Sequence, residues 1–113
     1  MMMAPAPYNI TIHQGATFKL DLQYLDSNSN PVNMNGYTVD AQLWNRLNTD
    51  KITDFDFSWT TQASGIFQIK LTNAVTSGIT EQGQYDILLS QPNGDKYYLM
   101  EGIAFLDQGV SYR

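Results

Sequence analysis

The segment 83–106 constrains the fold of this chain more than any other part of the sequence. Two runs rich in aromatic and aliphatic residues flank the sequence Pro92-Asn93-Gly94-Asp95. Because Asn and Gly tolerate the positive φ angles of a tight turn, this arrangement predicts a β-hairpin. Apolar residues recur at every second position on both sides of the turn, which is the period of a β-strand. The C-terminal quarter of the chain therefore predicts a β protein.

The same alternation appears in the rest of the chain. In residues 16–24, Phe18, Leu20 and Leu22 share one face, whereas the residues between them are polar. Further strands are predicted at 8–12, 37–44, 52–59, 66–71 and 85–89, and a short helical turn at 73–80. About seven or eight short strands separated by turn signals predict an antiparallel β-sandwich.

Tyr85 favours an immunoglobulin-like topology for this sandwich. It follows a glycine at the start of a late strand, directly after the crossover at 74–80. In immunoglobulin-like domains a tyrosine at this place forms a tyrosine corner, in which its hydroxyl bonds back to nearby backbone. We therefore predict a hydrogen bond from Tyr85 to the crossover. The chain has no cysteine, so the disulfide of antibody domains is absent.

The length of 113 residues is enough for one domain with a core of its own. The segment 1–7 contains two prolines and no alternating pattern, and we expect it to form an extended N-terminal arm. Residues 8–113 then form the single β-sandwich domain.

Charge and composition exclude several classes of partner. The net charge is −5, and the six Lys and Arg residues do not cluster, which argues against nucleic acid and against a polybasic membrane patch. No apolar run approaches the roughly 20 residues that a membrane span requires. The first seven residues do not resemble a secretory signal, and the absence of cysteine fits assembly in a reducing cytoplasm.

The sequence gives little support to catalysis, and we predict no enzyme, cofactor or metal. His13 has no catalytic partner nearby in the sequence, and a turn or edge role is favoured. Asp54 and Asp56 lie two positions apart on one predicted strand face, most simply a solvated face. The alternative is a carboxylate enzyme in which Asp21 or Asp40 converges on this pair. The loop at 26–30 is rich in side-chain oxygens, but it lacks the glycine and the glutamate of a calcium loop.

The predicted hairpin has apolar residues on both faces. Opposite Tyr97, Leu99, Ile103 and Phe105, the last strand carries Tyr98, Met100, Ala104 and Leu106. A strand that is apolar on both faces is either fully buried or part of a contact surface. We predict a subunit interface, whereas the alternative is cover by a loop or by the arm of the same subunit. The predicted interface residues are Met1, Met2, Met3, Pro5, Pro7, Trp44, Leu88, Tyr98, Met100 and Leu106.

Four segments give the chain a resemblance to a known family: IHQGATF at 12–18, YLDSNSNPVNMNGY at 24–37, GQYD at 83–86 and LMEG at 99–102. With them the chain resembles small virion proteins of tailed phages that carry an immunoglobulin-like domain, similar to the N-terminal domain of phage baseplate upper proteins. The resemblance implies a non-enzymatic structural protein of the tail, baseplate or neck.

The interpretation as a structural virion protein also implies binding partners and a location. We expect the chain to bind other virion proteins, to form homo-oligomers within an assembly, and to lie in the virion after assembly in the host cytoplasm. Strand edges, the apolar hairpin face and the arm are the predicted contacts. The alternatives are a capsid decoration protein, or an adhesion module that holds glycans with loops around Asn28, Asn48 and Gln62.

Overall fold

Nine β-strands and one short α-helix make up most of residues 6–108, the part of the chain that the computed structural model describes. The strands are β1 (Ala6–Pro7), β2 (Ile10–His13), β3 (Phe18–Gln23), β4 (Thr38–Asn45), β5 (Lys51–Asp54), β6 (Asp56–Thr61), β7 (Ile66–Leu71), β8 (Gly83–Ser90) and β9 (Lys96–Asp107). Helix α1 (Asn73–Ser77) connects β7 to β8, and a 3-10 turn (Gln62–Ser64) precedes β7. No helix in this part of the chain has the length and apolar character of a membrane span.

The strands form two sheets that share one core. One sheet has six strands in the order β1-β9-β8-β4-β5, with β2 also paired to β9, and the other has three in the order β3-β7-β6. All pairs are antiparallel except that β1 and β2 run parallel to β9. Strands β3-β7-β6 opposite β9-β8-β4-β5 reproduce the order B-E-D opposite G-F-C-C′ of immunoglobulin domains. The predicted immunoglobulin-like sandwich is therefore confirmed.

The core lies between the inner faces of the two sheets. Alternate side chains of β4, β7 and β8 are almost inaccessible to solvent, as the alternation in the sequence predicts. The buried apolar residues are Ile10, Ile12, Met34, Val39, Ala41, Leu43, Phe55, Phe67, Ile69, Leu71, Ile79, Tyr85, Ile87, Leu89 and Ala104. Since the chain has no disulfide, burial of these side chains is the main stabilising contribution to the fold.

The predicted hairpin is confirmed. Strands β8 and β9 are joined by a tight loop in which Gly94 has a φ of 95°. The amide of Gln91 donates to the carbonyl of Asp95 over 2.8 Å, and the amide of Gly94 donates to the carbonyl of Gln91 over 3.0 Å. The Asn93 side chain accepts a further bond from the Asp95 amide, so the turn residues act as the sequence indicates.

A β-bulge in β9 shifts the faces of this last strand. Ile87 pairs with Met100, whereas the next residue, Leu88, pairs with Tyr98. Strand β9 therefore contains one additional residue at Leu99. Because side chains alternate between the faces of a strand, one additional residue exchanges the faces of everything that follows.

The bulge makes part of the sequence prediction wrong. The alternation in the sequence predicts Met100, Ala104 and Leu106 on the outer face, but Ala104 is buried and the other two pack against the core. The same alternation predicts that Ile103 and Phe105 point inward, but they are exposed on the outer face. Met100 and Leu106 are therefore not on the surface for which they were predicted.

Phe55 is the point at which the chain changes sheets. The predicted strand at 52–59 is in fact two strands, β5 in the six-stranded sheet and β6 in the three-stranded sheet. Between them, the Phe55 amide donates to the Ala41 carbonyl over 2.9 Å, and the ring enters the core. Its ring centroid lies 6.0 Å from that of Phe18 and 6.1 Å from that of Tyr85, which joins the two sheets through aromatic contacts.

Tyr85 forms its hydrogen bond with a different segment from the one predicted. Its hydroxyl donates to the carbonyl of Tyr8, between β1 and β2, and not to the crossover at 74–80. The tyrosine-corner prediction is therefore wrong in its partner. Gly102 explains how Tyr8 comes so close to the sheet, because a Cβ at Gly102 would lie 2.1 Å from the Tyr8 carbonyl oxygen.

Candidate interaction surface

Rows of side chains run across neighbouring strands on the outer face of the six-stranded sheet. The first row is Asp40, Leu88 and Tyr98; the second is Asp54, Gln42, Asp86, Glu101 and Pro7; the third is Lys51, Trp44, Gln84 and Ile103. Phe105 follows beyond the third row on β9, opposite Thr11 of β2. We refer to the part formed by Asp40, Gln42, Trp44, Asp86, Leu88, Tyr98, Glu101, Ile103 and Phe105 as the β4–β8–β9 surface.

Large apolar side chains remain exposed on the β4–β8–β9 surface. Tyr98 is 49% exposed, Phe105 41% and Ile103 38%. The outer face of β3, in the other sheet, carries only Lys19, Asp21 and Gln23. Since a sheet face in contact with water is normally polar, the contrast between the two sheets distinguishes the β4–β8–β9 surface as a candidate for contact with a partner.

Trp44 lies between two shallow pockets on this surface. Each pocket has a volume of about 350 Å³, and Trp44, Asn48 and Asp86 line both. The Trp44 indole nitrogen donates to the side-chain oxygen of Gln42 over 3.0 Å, which fixes the ring on its strand. The pockets therefore combine a fixed aromatic ring with amide and carboxylate groups, and they are large enough for a small ligand or a partner side chain.

The surface is acidic. Asp40, Asp86 and Glu101 lie on it, and Asp86 and Glu101 are direct cross-strand neighbours. Burial raises the pKa of the Asp86 carboxyl above its usual value, and the charge of Glu101 raises it further. At the edge of the sheet, the ammonium group of Lys51 is 3.2 Å from the carboxylate of Asp54, so that cation is already paired. This charge distribution favours a partner with basic or hydrogen-bond-donating groups.

The residues predicted for the interface are only partly brought together. Trp44, Leu88 and Tyr98 lie on the β4–β8–β9 surface, on the outer face where the sequence places them. Met100 and Leu106 do not, because of the bulge. Ile103 and Phe105 take their places. The charge of Glu101 could have revealed this, since it has the same strand parity as both residues and belongs on the solvent side.

Of the interface residues predicted in the arm, Pro7 is the one whose position the structure describes. It pairs with Glu101 as part of β1 and lines one of the two pockets. Met1, Met2, Met3 and Pro5 lie outside the described residues.

The proposed carboxylate pair does not exist as a cluster. Asp54 pairs with Gln42 in the six-stranded sheet, whereas Asp56 pairs with Lys70 in the three-stranded sheet. The change of sheet at Phe55 places them on the outer faces of different sheets, so they do not share one strand face as the sequence predicts. Within residues 6–108, no group of three or more His, Cys, Asp and Glu side chains is arranged to hold a metal ion.

The remaining polar candidates have local structural roles. His13 lies on the edge strand β2, where its Nδ1 is 3.5 Å from the Asp107 carboxylate. The side-chain oxygen of Asp26 accepts bonds from the amides of Asn28 and Asn30, which makes 26–30 a closed turn. Both roles agree with the sequence interpretation.

The three predicted glycan loops have different surroundings. Asn48 lines the pockets beside Trp44. The side-chain amide of Gln62 donates to the Met34 carbonyl over 3.0 Å, and the backbone of Asn28 is held in the turn at 26–30.

The fold and this surface define a single immunoglobulin-like β-sandwich with one polar and one partly apolar outer face. Residues 4–106 match the family described as LtfC-like, β-sandwich domain. The chain therefore belongs to the LtfC-like β-sandwich domain family, a phage-associated family. A comparison with curated proteins found no match.

Proposed function

We propose that the chain is a non-enzymatic structural component of a phage particle, in the tail, baseplate or neck. It contacts neighbouring virion proteins, including further copies of itself, through the β4–β8–β9 surface, free strand edges and the N-terminal segment. Its place of action is the virion, after assembly in the host cytoplasm. Membership of a phage-associated family supports the phage setting.

The exposed apolar side chains of the β4–β8–β9 surface are the observation on which this proposal depends. Tyr98, Ile103 and Phe105 come from one strand and stay accessible on a face whose counterpart is polar. Covering them with another protein removes apolar area from water, and the carboxylates around them select partners by charge. No covalent chemistry is needed for this role.

Incorporation into particles tests the proposal. The substitution Tyr98→Glu places a charge on the surface, and because Tyr98 is half exposed the fold should be retained. We expect Y98E to reduce the amount of the chain in purified particles about tenfold or more, as for a charge buried in an interface. Leu25→Glu is the matched control, since Leu25 is 42% exposed in the loop after β3.

The same purified particles distinguish the possible locations. A copy number that follows the capsid lattice indicates a decoration protein, whereas a small multiple that follows the symmetry of the tail indicates tail, baseplate or neck. Absence of the chain from particles, or equal incorporation of Y98E and L25E, contradicts the proposal.

A second candidate function is glycan binding, and the two pockets beside Trp44 favour it. An aromatic ring flanked by Asn48 and Asp86 offers an apolar platform and hydrogen-bonding groups for sugar hydroxyls. Titration of host-surface saccharides into the purified chain, followed through Trp44 fluorescence in a Trp59→Phe variant, tests it. Saturable binding that Asn48→Ala and Asp86→Ala weaken supports adhesion, whereas no response rejects it.

A further inference from the structure

The outer edge of β3 is a free strand edge within residues 6–108. Strand β3 pairs with β7 over six consecutive residues, from Phe18 opposite Leu71 to Gln23 opposite Ile66, without a register shift. It is the first strand of the order β3-β7-β6, and no described strand pairs with its other side. Its backbone groups on that side therefore form a regular template for a further strand.

The other outer strands are interrupted in ways that hinder such pairing. The pairing of β5 with β4 and that of β6 with β7 each contain a register shift. The edge formed by β1 and β2 is broken between Pro7 and Ile10, and proline lacks an amide proton. Bulges, breaks and proline are among the devices that protect sheet edges, and β3 has none of these three. Charged side chains are another such device, so the charges of β3 decide which partner its edge accepts.

The charges on β3 complement a second, antiparallel copy of the same strand. Lys19 and Asp21 lie on its outer face with one residue between them. An antiparallel copy centred on Leu20 places Lys19 of each chain opposite Asp21 of the other. Centring on Asp21 instead would place two aspartates opposite each other, which is unfavourable. Charge thus selects one register.

The neighbouring strand strengthens this selection. Lys19 lies directly opposite Lys70 of β7, a pair of like charges across the sheet. Asp21 lies opposite Gln68, whose side-chain amide donates to the Asp21 carboxylate over 3.0 Å. In the paired dimer, Asp21 of one copy would lie between Lys19 of the other copy and Gln68 of its own β7. Its negative charge would offset the repulsion between Lys19 and Lys70.

We propose that β3 pairs with β3 of a second copy of this chain, antiparallel and centred on Leu20. The two three-stranded sheets then form one continuous six-stranded sheet around a two-fold axis. On the core side, Phe18 of each copy lies opposite Leu22 of the other and covers part of its half-exposed side chain. This pairing deepens the proposed assembly role of the strand edges and rests on it.

Charge exchange tests the pairing with the purified chain, separately from incorporation into particles. Lys19→Asp and Asp21→Lys each turn both cross-strand ion pairs into like-charge pairs, so each variant alone should dimerise about tenfold more weakly than wild type. An equimolar mixture of the two variants restores both ion pairs, and it should dimerise as well as wild type. Sedimentation velocity over a range of concentrations up to millimolar measures this.

Matched controls separate pairing from net charge. Lys96→Asp changes the net charge as Lys19→Asp does, and Glu81→Lys changes it as Asp21→Lys does, at exposed positions outside β3. Both controls should dimerise like wild type. If the control variants weaken dimerisation as much as the β3 variants do, the proposed pairing is wrong. It is also wrong if the mixture of the two β3 variants stays monomeric.

Cysteine cross-linking tests directly which residues of the two β3 strands lie opposite each other. The chain has no cysteine of its own, so every disulfide comes from the introduced residues. In a mixture of Lys19→Cys and Asp21→Cys chains, the proposed register brings the two different cysteines opposite each other, within disulfide reach. The mixed disulfide should exceed its statistical share. A statistical distribution of products, or a wild-type chain that is monomeric at millimolar concentration, rejects the proposal, whatever particle incorporation shows.

Discussion

Asp86 is a residue whose charge we expect to reduce the stability of the isolated chain. It lies on the outer face of the central strand β8, half covered by its neighbours and opposite Glu101 of β9. Both burial and this like charge raise the pKa of its carboxyl. A carboxylate in such a place costs free energy of folding, and proteins often retain such residues where a partner binds.

The substitution Asp86→Asn should stabilise the isolated chain near neutral pH. It removes a like-charge cross-strand pair, and we expect the free energy of unfolding to rise by about 0.2–1 kcal/mol. A raised pKa means that the folded protein binds more protons than the unfolded one, so the wild type becomes more stable as pH falls through the folded pKa of Asp86. The gain from D86N should therefore disappear below the usual pKa range of aspartate. Urea unfolding at several pH values measures it.

Glu101→Gln provides the control for this prediction. It removes the same repulsion from the other strand and should also stabilise the chain at neutral pH, whereas Asp40→Asn, one row away, should have a smaller effect. A gain from D86N that persists at acidic pH would show that hydrogen bonding or packing, and not charge, is responsible.

At the scale of strands, the sequence predicts most elements but not the two irregularities that decide the surface. Regular alternation in β4, β7 and β8 reflects a period that the backbone enforces, so their faces follow from the residue order alone. The bulge at Leu99 and the change of sheet at Phe55 depend on contacts with other strands. A local sequence pattern contains no information on such contacts. These two features explain why the sequence pattern predicts the wrong face for Met100 and Leu106, and why Asp54 and Asp56 lie in different sheets.

The hydrogen bond between Tyr85 and Tyr8 is likewise not predictable from a local sequence pattern. The two residues are far apart in sequence, and the bond depends on the approach of the β1–β2 connection to Gly102. The sequence shows a glycine at position 102, but it does not show that the Tyr8 backbone packs against this glycine. Long-range approach of backbone to backbone has no periodic signature.

Removal of the Tyr85 hydroxyl should loosen the N-terminal strands. Tyr85→Phe leaves the aromatic ring in the core and removes the bond to the Tyr8 carbonyl. We expect a loss of about 0.5–1.5 kcal/mol in the free energy of unfolding. Amide hydrogen exchange should increase for β1 and β2 more than for β7, because β7 has no contact with this bond.

The same hydroxyl predicts how stability depends on alkaline pH. Burial, with a smaller contribution from Tyr8, raises the pKa of Tyr85 to about 12. The folded chain thus keeps a proton that the unfolded chain loses near the usual value of 10.0, and stability falls as pH rises between the two values. Y85F should show a shallower fall over this range. Equal slopes for Y85F and wild type would contradict the assignment.

On the scale of the whole molecule, the two sheets share one core and should unfold together. The change of sheet at Phe55 and helix α1 connect them, and the buried residues form one continuous cluster. The chain also carries one tryptophan in each sheet, Trp44 in β4 and Trp59 in β6. Each sheet can therefore be followed through its own fluorescent residue.

Denaturant unfolding of the variants Trp44→Phe and Trp59→Phe should give transitions that each coincide with the circular dichroism transition of the same variant. Phe67→Leu, added to each, should lower the free energy of unfolding by about 1–3 kcal/mol at both probes, because Phe67 is fully buried, 5.5 Å from the ring of Phe57 and 6.1 Å from that of Trp59. Phe105→Leu is the exposed control and should change it by less than about 0.5 kcal/mol. If Phe67→Leu shifts the Trp59 transition and leaves the Trp44 transition in place, the sheets unfold separately and the core does not act as one cooperative unit.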